Sequence, residues 1–238
     1  ALEAMELALE AGSGIPEQQV WALVQYGTML LPLGRVEDAA RAYRRALALD
    51  PGYVHAHAGL ARVAAAKSRF DEAAWRLEAV VERLPAPQYA IMLGDALQRA
   101  GRSEDARRAY GVVRAIERVL AASGVRTELQ TALFDLDRGA VLGDALTRAR
   151  TAHRSAPSVA AADAVAWGLY RAGRCRAARA WSQRALRLGT KDALFHFHRG
   201  MIERCLESPA AKSWLRRALA LDPSFSLRWE PVTRRLSG

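Results

Sequence analysis

Four paired histidines are the residues whose type and spacing come nearest to metal or acid–base chemistry. His55 and His57 lie two residues apart, and so do His196 and His198. Histidine is a common metal ligand, but residues two apart on a helix point to different faces. The spacing therefore predicts no shared metal site, and we expect His57 to be packed inside the protein.

Other arrangements that could support catalysis are missing from the sequence. The chain has no Gly-rich loop for phosphate, no nucleophile elbow and no H-E-x-x-H motif. We therefore expect a protein that is not an enzyme and that uses no cofactor.

The two cysteines, Cys175 and Cys205, are predicted to lie close together. They are equally distant from Thr190 in a predicted turn near Gly189–Thr190, so two antiparallel helices would bring them to the same height. A disulfide needs Cα atoms roughly 4.4–6.8 Å apart, whereas packed helix axes are about 8–10 Å apart. We expect two buried, reduced thiols, and a disulfide is the alternative.

The elements that carry these residues follow an internal repeat. Similar segments begin near residues 20, 54, 87, 126, 159 and 192, so the steps are 34, 33, 39, 33 and 33 residues. Each unit has a small residue where two helices would cross, and most have a glycine or proline where a helix would end. The small residues are Gly27, Ala61, Gly94, Ala132, Ala166 and Gly200, the glycines are Gly34, Gly101 and Gly173, and the prolines are Pro51, Pro85, Pro157 and Pro223.

This period and punctuation resemble the tetratricopeptide repeat, over roughly residues 17–223. The resemblance implies an all-α protein, a right-handed α-solenoid of about six such helix pairs. Residues 1–16 are predicted to be the second helix of a partial repeat plus a linker, and residues 224–238 a C-terminal capping segment. The long third unit predicts an extended second helix over residues 103–123. We also expect the protein to continue upstream of Ala1.

The first helices line the inside of the superhelix in the family that this chain resembles. Counting from the small crossing residues gives a weakly featured stripe in the first two units and an aromatic and Arg-rich stripe in the last three. Such residues dominate binding hot spots. The predicted peptide-binding groove consists of Phe134, Arg138, Asp163, Trp167, Tyr170, Arg171, His196 and Phe197. Packing between helices is the alternative interpretation of Trp167 and Tyr170.

One binding mode of the resembled family is excluded by residue type. Members that bind chaperone tails hold a terminal carboxylate with Lys, Asn and Arg side chains. The matching positions here are Val24, Thr28, Gly59, Gln88 and Met92, which supply no cation.

The net charge of +10 raises the question of nucleic acid. All basic residues except three lysines are arginines, and an Ala- and Arg-rich composition is typical of a GC-rich bacterial genome. The sequence has no apolar run near the ~20 residues that span a bilayer.

We therefore expect a protein-binding or peptide-binding scaffold whose partner is an unknown protein or peptide. An Arg-rich adaptor for nucleic acid or an anionic surface is the less favoured alternative. A purely structural assembly module that self-associates through its N-terminal helix is another. The sequence leaves the compartment open.

Overall fold

The fold of the chain is entirely helical over the residues that the structure describes. A computed structural model describes residues 2–11, 15–125 and 128–238, and within these ranges it contains fourteen α-helices and no strand. The predicted all-α class is therefore confirmed. The chain divides into two compact units, Ala1–Ile116 (unit 1) and Glu117–Gly238 (unit 2).

The helices form six consecutive pairs that match the predicted repeat. The first helices of the pairs are α2 (Pro16–Leu30), α4 (Val54–Ala66), α6 (Pro87–Arg99), α8 (Glu128–Arg138), α10 (Val159–Arg171) and α12 (Ala193–Cys205). The second helices are α3 (Val36–Leu49), α5 (Phe70–Arg83), α7 (Ser103–Ala122), α9 (Leu142–Ser155), α11 (Cys175–Leu186) and α13 (Ala211–Leu221). A helix at each end completes the chain, α1 (Leu2–Ala11) and α14 (Glu230–Ser237).

The twenty-residue α7 confirms the predicted extension of the second helix in the third repeat. The predicted boundaries at 16/17 and 223/224 stay predictions. Leu2 and Leu9 of α1 are half-buried and pack against the apolar core of unit 1. No helix in the described part of the chain combines the length and apolar character needed to cross a bilayer.

The turn inside a helix pair depends on backbone with positive φ. Gly101 and Gly173 have φ values of 80° and 73°, a region that glycine enters without a steric cost. Ser68 and Glu207 adopt positive φ at the corresponding turns of their own pairs. The glycines predicted to end the first helices therefore do so, and two pairs make the turn without one.

Close packing in unit 1 is built around one tyrosine ring. Tyr43 of α3 is fully buried, and its ring lies against Gly27 of α2 and Gly59 of α4. A Cβ atom at Gly59 would lie 2.4 Å from Tyr43 Cε1, and one at Gly27 would lie 2.8 Å from it. The predicted crossing residue Gly27, together with Gly59, therefore leaves room for a second-helix aromatic ring.

Replacing Gly59 by Ala is expected to lower the free energy of unfolding by about 1–3 kcal/mol, because the methyl group overpacks the Tyr43 ring. Gly111→Ala is the matched control, since no heavy atom lies within 4 Å of a Cβ at this exposed position in α7. Removing a helix-interior glycine there should raise stability by about 0.4–1 kcal/mol. Denaturant titration followed by circular dichroism measures both, and equal effects would contradict the packing argument.

The cysteines form a disulfide, so the expectation of two reduced thiols is wrong. Cys175 begins α11, Cys205 ends α12, and their Cα atoms are 6.2 Å apart. The error lay in comparing the disulfide with the spacing of helix axes. A Cα atom lies about 2.3 Å off its axis, so facing residues are closer than the axes are. Cys175 is buried but Cys205 is exposed, which also corrects the expected burial.

Candidate functional site

The eight predicted groove residues lie on three neighbouring helices of unit 2. These helices, α8, α10 and α12, are the first helices of consecutive pairs, and α10 contacts both of the others. We call the surface that they form the first-helix face of unit 2. The repeat thus brings side chains more than thirty residues apart in sequence to neighbouring helices.

Most of the predicted groove residues are buried within this layer. Phe134, Asp163, Trp167, His196 and Phe197 are buried, and Trp167 retains only 1% of its accessible surface. The other three, Arg138, Tyr170 and Arg171, are half-buried. Only these three are therefore accessible enough to meet a ligand directly, and the buried five hold the layer together. Their role in binding stays a prediction.

Trp167 lies at the centre of an aromatic cluster. Its ring stacks on Tyr170 with centroids 4.9 Å apart and on His198 with centroids 4.1 Å apart. Its Nε1–H donates to Asp137 Oδ1 over 3.0 Å. Tyr170 is the member of this stack that keeps an accessible edge. The aromatic residues of the predicted groove therefore act first as packing between α10 and α12.

A buried acid–base pair lies beneath Trp167. His198 Nδ1 and Asp163 Oδ2 are 2.7 Å apart, and both side chains are excluded from solvent. Burial raises the pKa of Asp163, and the neighbouring His198 opposes that rise. The sequence prediction selected His196, which instead contacts Trp214 of α13 with ring centroids 5.3 Å apart. A phase error of two residues on α12 explains why His198 was missed.

The two arginines of the predicted groove are partly engaged within the face. The Arg171 guanidinium donates to the backbone carbonyls of Leu136 and Asp137 at the end of α8, the second over 3.1 Å. Arg138 lies over the Phe134 ring, with its Cζ 4.1 Å from the ring centroid. Arg171 thus satisfies carbonyls that have no partner inside α8, and it stabilises the negative end of the helix dipole.

The segment between α13 and α14 lies on the first-helix face of unit 2. Trp229 Nε1–H donates to Asp137 Oδ1 over 3.0 Å, the same oxygen that accepts from Trp167. The Trp229 ring stacks on Phe197 at 5.3 Å and meets Trp167 edge-on at 5.6 Å. Phe225 also contacts Phe197, with centroids 5.8 Å apart. The C-terminal segment therefore covers the predicted groove as well as the last helix pair.

Unit 1 carries an open cavity on its own first-helix face, which α2, α4 and α6 form. The cavity has a volume of about 310 Å³. Rings and one guanidinium dominate its lining, which includes Trp21, Tyr43, Tyr53, His55, Arg62 and Tyr89.

Two features make this cavity a candidate binding site. Trp21 is 53% exposed, and Arg62 makes no ion pair within the described part of the chain. His55 Nδ1 and the Tyr89 hydroxyl lie 2.5 Å apart and fix one wall. The cavity can therefore accept an apolar side chain and offer a cation to an acidic group nearby.

The predicted stripe was weakly featured in the first two repeats, so this site was not predicted. Most of its rings lie at positions outside the first-helix pattern. Tyr43 enters from a second helix and Tyr53 from a loop, and Trp21 lies near the start of α2. Aromatic residues spaced near one repeat length, such as Tyr53 and Tyr89, were the available signal.

Some arginines on the second helices pair with acidic neighbours on the same helix. Arg76 pairs with Glu72 over 3.0 Å, and Arg41 and Arg108 pair with Asp38 and Asp105. Intrahelical pairs of this kind solvate the outer surface and neutralise part of its charge. Within the described ranges, no group of three His, Cys, Asp or Glu side chains is arranged to hold a metal ion.

Comparison with known proteins finds similarity to the tetratricopeptide repeat. The family model for the tetratricopeptide repeat matches residues 30–93. No curated protein matches the chain by sequence. A tetratricopeptide repeat protein from Parabacteroides merdae is structurally similar with a TM-score of 0.59 and 14% identity, over 100% of this chain and 90% of that one. The hetero-tetramer Cut9–Hcn1 of APC/C gives a TM-score of 0.56 and 14% identity, over 99% and 45%. At such identities the similarity shows the fold.

Proposed function

We propose that this chain, an all-helical protein of the tetratricopeptide-repeat type, is a non-enzymatic scaffold that binds a protein or peptide segment on its first-helix faces. The observation that carries this proposal is the open cavity of unit 1, where aromatic rings surround an arginine, Arg62, that has no ion-pair partner among the described residues. A side chain of a partner would fill the cavity, and an acidic group beside it would accept from the guanidinium.

Unit 2 has a first-helix face too, which residues 225–229 partly cover. There the accessible contacts would be Tyr170, Arg171 and Arg138, on a layer held rigid by the buried Trp167 and Phe197. Aromatic and arginine side chains suit this role because they combine a large contact area with hydrogen-bond donors.

Selection of peptides from a random displayed library tests the function and requires no assumption about which partner binds. We expect the selected peptides to carry an aromatic or large aliphatic residue near an acidic one. Replacing Arg62 by Ala should weaken their binding about tenfold or more, because a hydrogen bond to a charged group contributes about 1.5–3 kcal/mol. Isothermal titration calorimetry measures the change.

Arg45→Ala is the matched control, because Arg45 is an exposed arginine on the second helix α3. Its replacement should leave the affinity unchanged. Equal losses from the two substitutions would indicate attraction to overall positive charge and would contradict a site at Arg62. A library that yields no binder to the folded protein would contradict peptide binding itself.

A further inference from the structure

The covered first-helix face of unit 2 already shows how a peptide segment is held. Residues 225–229 run across it between α13 and α14, and they contact all three first helices. Trp229 reaches Asp137 on α8, Trp167 on α10 and Phe197 on α12. Asp137 and Trp229 are 92 residues apart in sequence, so this contact is not part of the stacking of one repeat on the next.

The contacts define a recognition chemistry. Two rings four residues apart, Phe225 and Trp229, lie against Phe197, and the second ring also donates to the Asp137 carboxylate. Between them, Arg228 Nε–H donates to the Asp137 backbone carbonyl over 3.2 Å. These interactions are made by side chains of the segment, so a segment with the same side chains in the same turn conformation could make them.

Helix α14 begins directly after Trp229, whose carbonyl accepts from the Thr233 N–H, and it also has attachments of its own. Helix α14 is held to α13 by separate hydrogen bonds, from Arg216 Nε–H to the Ser237 carbonyl and from Lys212 Nζ to the Gly238 carbonyl, each over 3.0 Å. Phe225 and Trp229 are themselves only half-buried. The covering segment is thus a short link, anchored at both ends, over a surface of buried rings.

We propose that the first-helix face of unit 2 recognises a Phe-x-x-x-Trp segment, that residues 225–229 occupy it in cis, and that a partner with a segment of this chemistry binds by displacing them. The proposal rests on the proposed function in one respect, that a first-helix face binds a peptide. It adds the class of ligand and the way in which access is controlled.

The covalent link sets how strongly the internal segment competes. A short tether gives an effective concentration on the order of millimolar. A free peptide of the same sequence can therefore bind the wild-type face only with an apparent Kd on the order of millimolar, whatever affinity it shares with the internal segment. Removing the internal anchors lifts this competition and reveals the intrinsic affinity.

The test uses a fluorescent peptide of residues 222–232 and the full-length protein carrying Phe225→Ala and Trp229→Ala. Fluorescence anisotropy should give an apparent Kd at least tenfold lower for this double variant than for wild type. A peptide with the same two alanine replacements should not bind. The matched protein control is Arg235→Ala, since Arg235 is exposed on α14, outside the covering segment. It should behave like the wild type.

Two results would overturn the proposal. Equal affinity of wild type and double variant would show that the internal segment does not compete. A double variant that keeps its helix content but does not bind the peptide would show that the face does not recognise this sequence. Neither result touches Arg62-dependent binding in unit 1, so failure here is distinguishable from failure of the proposed function.

A second variant and a second measurement cover the case in which the double variant loses its fold. Trp229→Phe keeps an aromatic ring but removes the hydrogen-bond donor to Asp137. Its apparent Kd for the peptide should lie between that of the wild type and the lower value expected when the internal segment does not compete. In the wild-type protein, millimolar peptide should speed amide hydrogen exchange at residues 225–229. Unchanged exchange at saturating peptide would contradict displacement.

Discussion

Trp167→Ala is expected to lower the free energy of unfolding by about 3–5 kcal/mol, the usual cost of truncating a large buried aromatic residue. Trp167 is 1% exposed, and its ring contacts Tyr170, His198 and Trp229. The substitution also removes one of the two indole donors that Asp137 Oδ1 accepts. Chemical unfolding monitored by circular dichroism measures the loss.

Trp75→Ala is the matched control for this substitution. Trp75 is 65% exposed on the second helix α5, so its removal should change stability by no more than about 0.5 kcal/mol. A Trp167→Ala protein as stable as the Trp75→Ala protein would contradict the central position of Trp167 in the unit 2 core.

The same expectation decides which residue can report on ligand binding. If Trp167→Ala lost binding, a missing direct contact could not be separated from a disrupted face, because the Trp167 side chain supports the whole layer. Tyr170 stacks on Trp167 but keeps an accessible edge. Tyr170→Ala is therefore the cleaner test of the predicted groove, since truncating this half-buried side chain leaves the buried core of unit 2 in place.

The fold was largely predictable because the repeat constrains every helix pair in the same way. The predicted starts at 54, 87 and 159 coincide with the first residues of α4, α6 and α10. Gly101 and Gly173 end first helices with positive φ, as their type requires. Each helix pair carries similar signals and contacts only its neighbours. A wrong boundary in one pair therefore does not displace the boundaries predicted for the others.

The candidate sites were less predictable, for two physical reasons. A helix turns by about 100° for each residue, so an error of one or two positions exchanges an exposed side chain for a buried one or one set of neighbours for another, as with His196 and His198. The second reason is that the period describes only stacking. The contact between Asp137 and Trp229 lies outside the repeat, so no spacing in the sequence indicates it.

The disulfide illustrates a prediction that was right in position and wrong in chemistry. Symmetry about the turn placed Cys175 and Cys205 at the same height on antiparallel helices, and the structure places them at the facing ends of α11 and α12. Whether such thiols bond depends on a difference of a few ångströms in Cα separation. A sequence pattern does not resolve that difference, because it fixes the residues that face one another but not the depth to which the helices pack.

Removing the disulfide is expected to lower the free energy of unfolding by about 3–4 kcal/mol, because an unfolded loop of 30 residues is no longer constrained. Cys175→Ala alone should cost nearly as much as Cys175→Ala with Cys205→Ala, because either substitution breaks the same bond and the second breaks nothing more. Denaturant titrations of the two single variants and the double variant test this. If the losses of the two single variants added up in the double variant, a shared bond would be contradicted. Thiol titration of the unfolded wild type without reductant should find no free thiol. Two free thiols would show that the cysteines are reduced and would contradict the disulfide. Because Cys205 is exposed, a reductant should reach the bond in the folded protein, so reduction of the native wild type should reproduce the stability of the double variant.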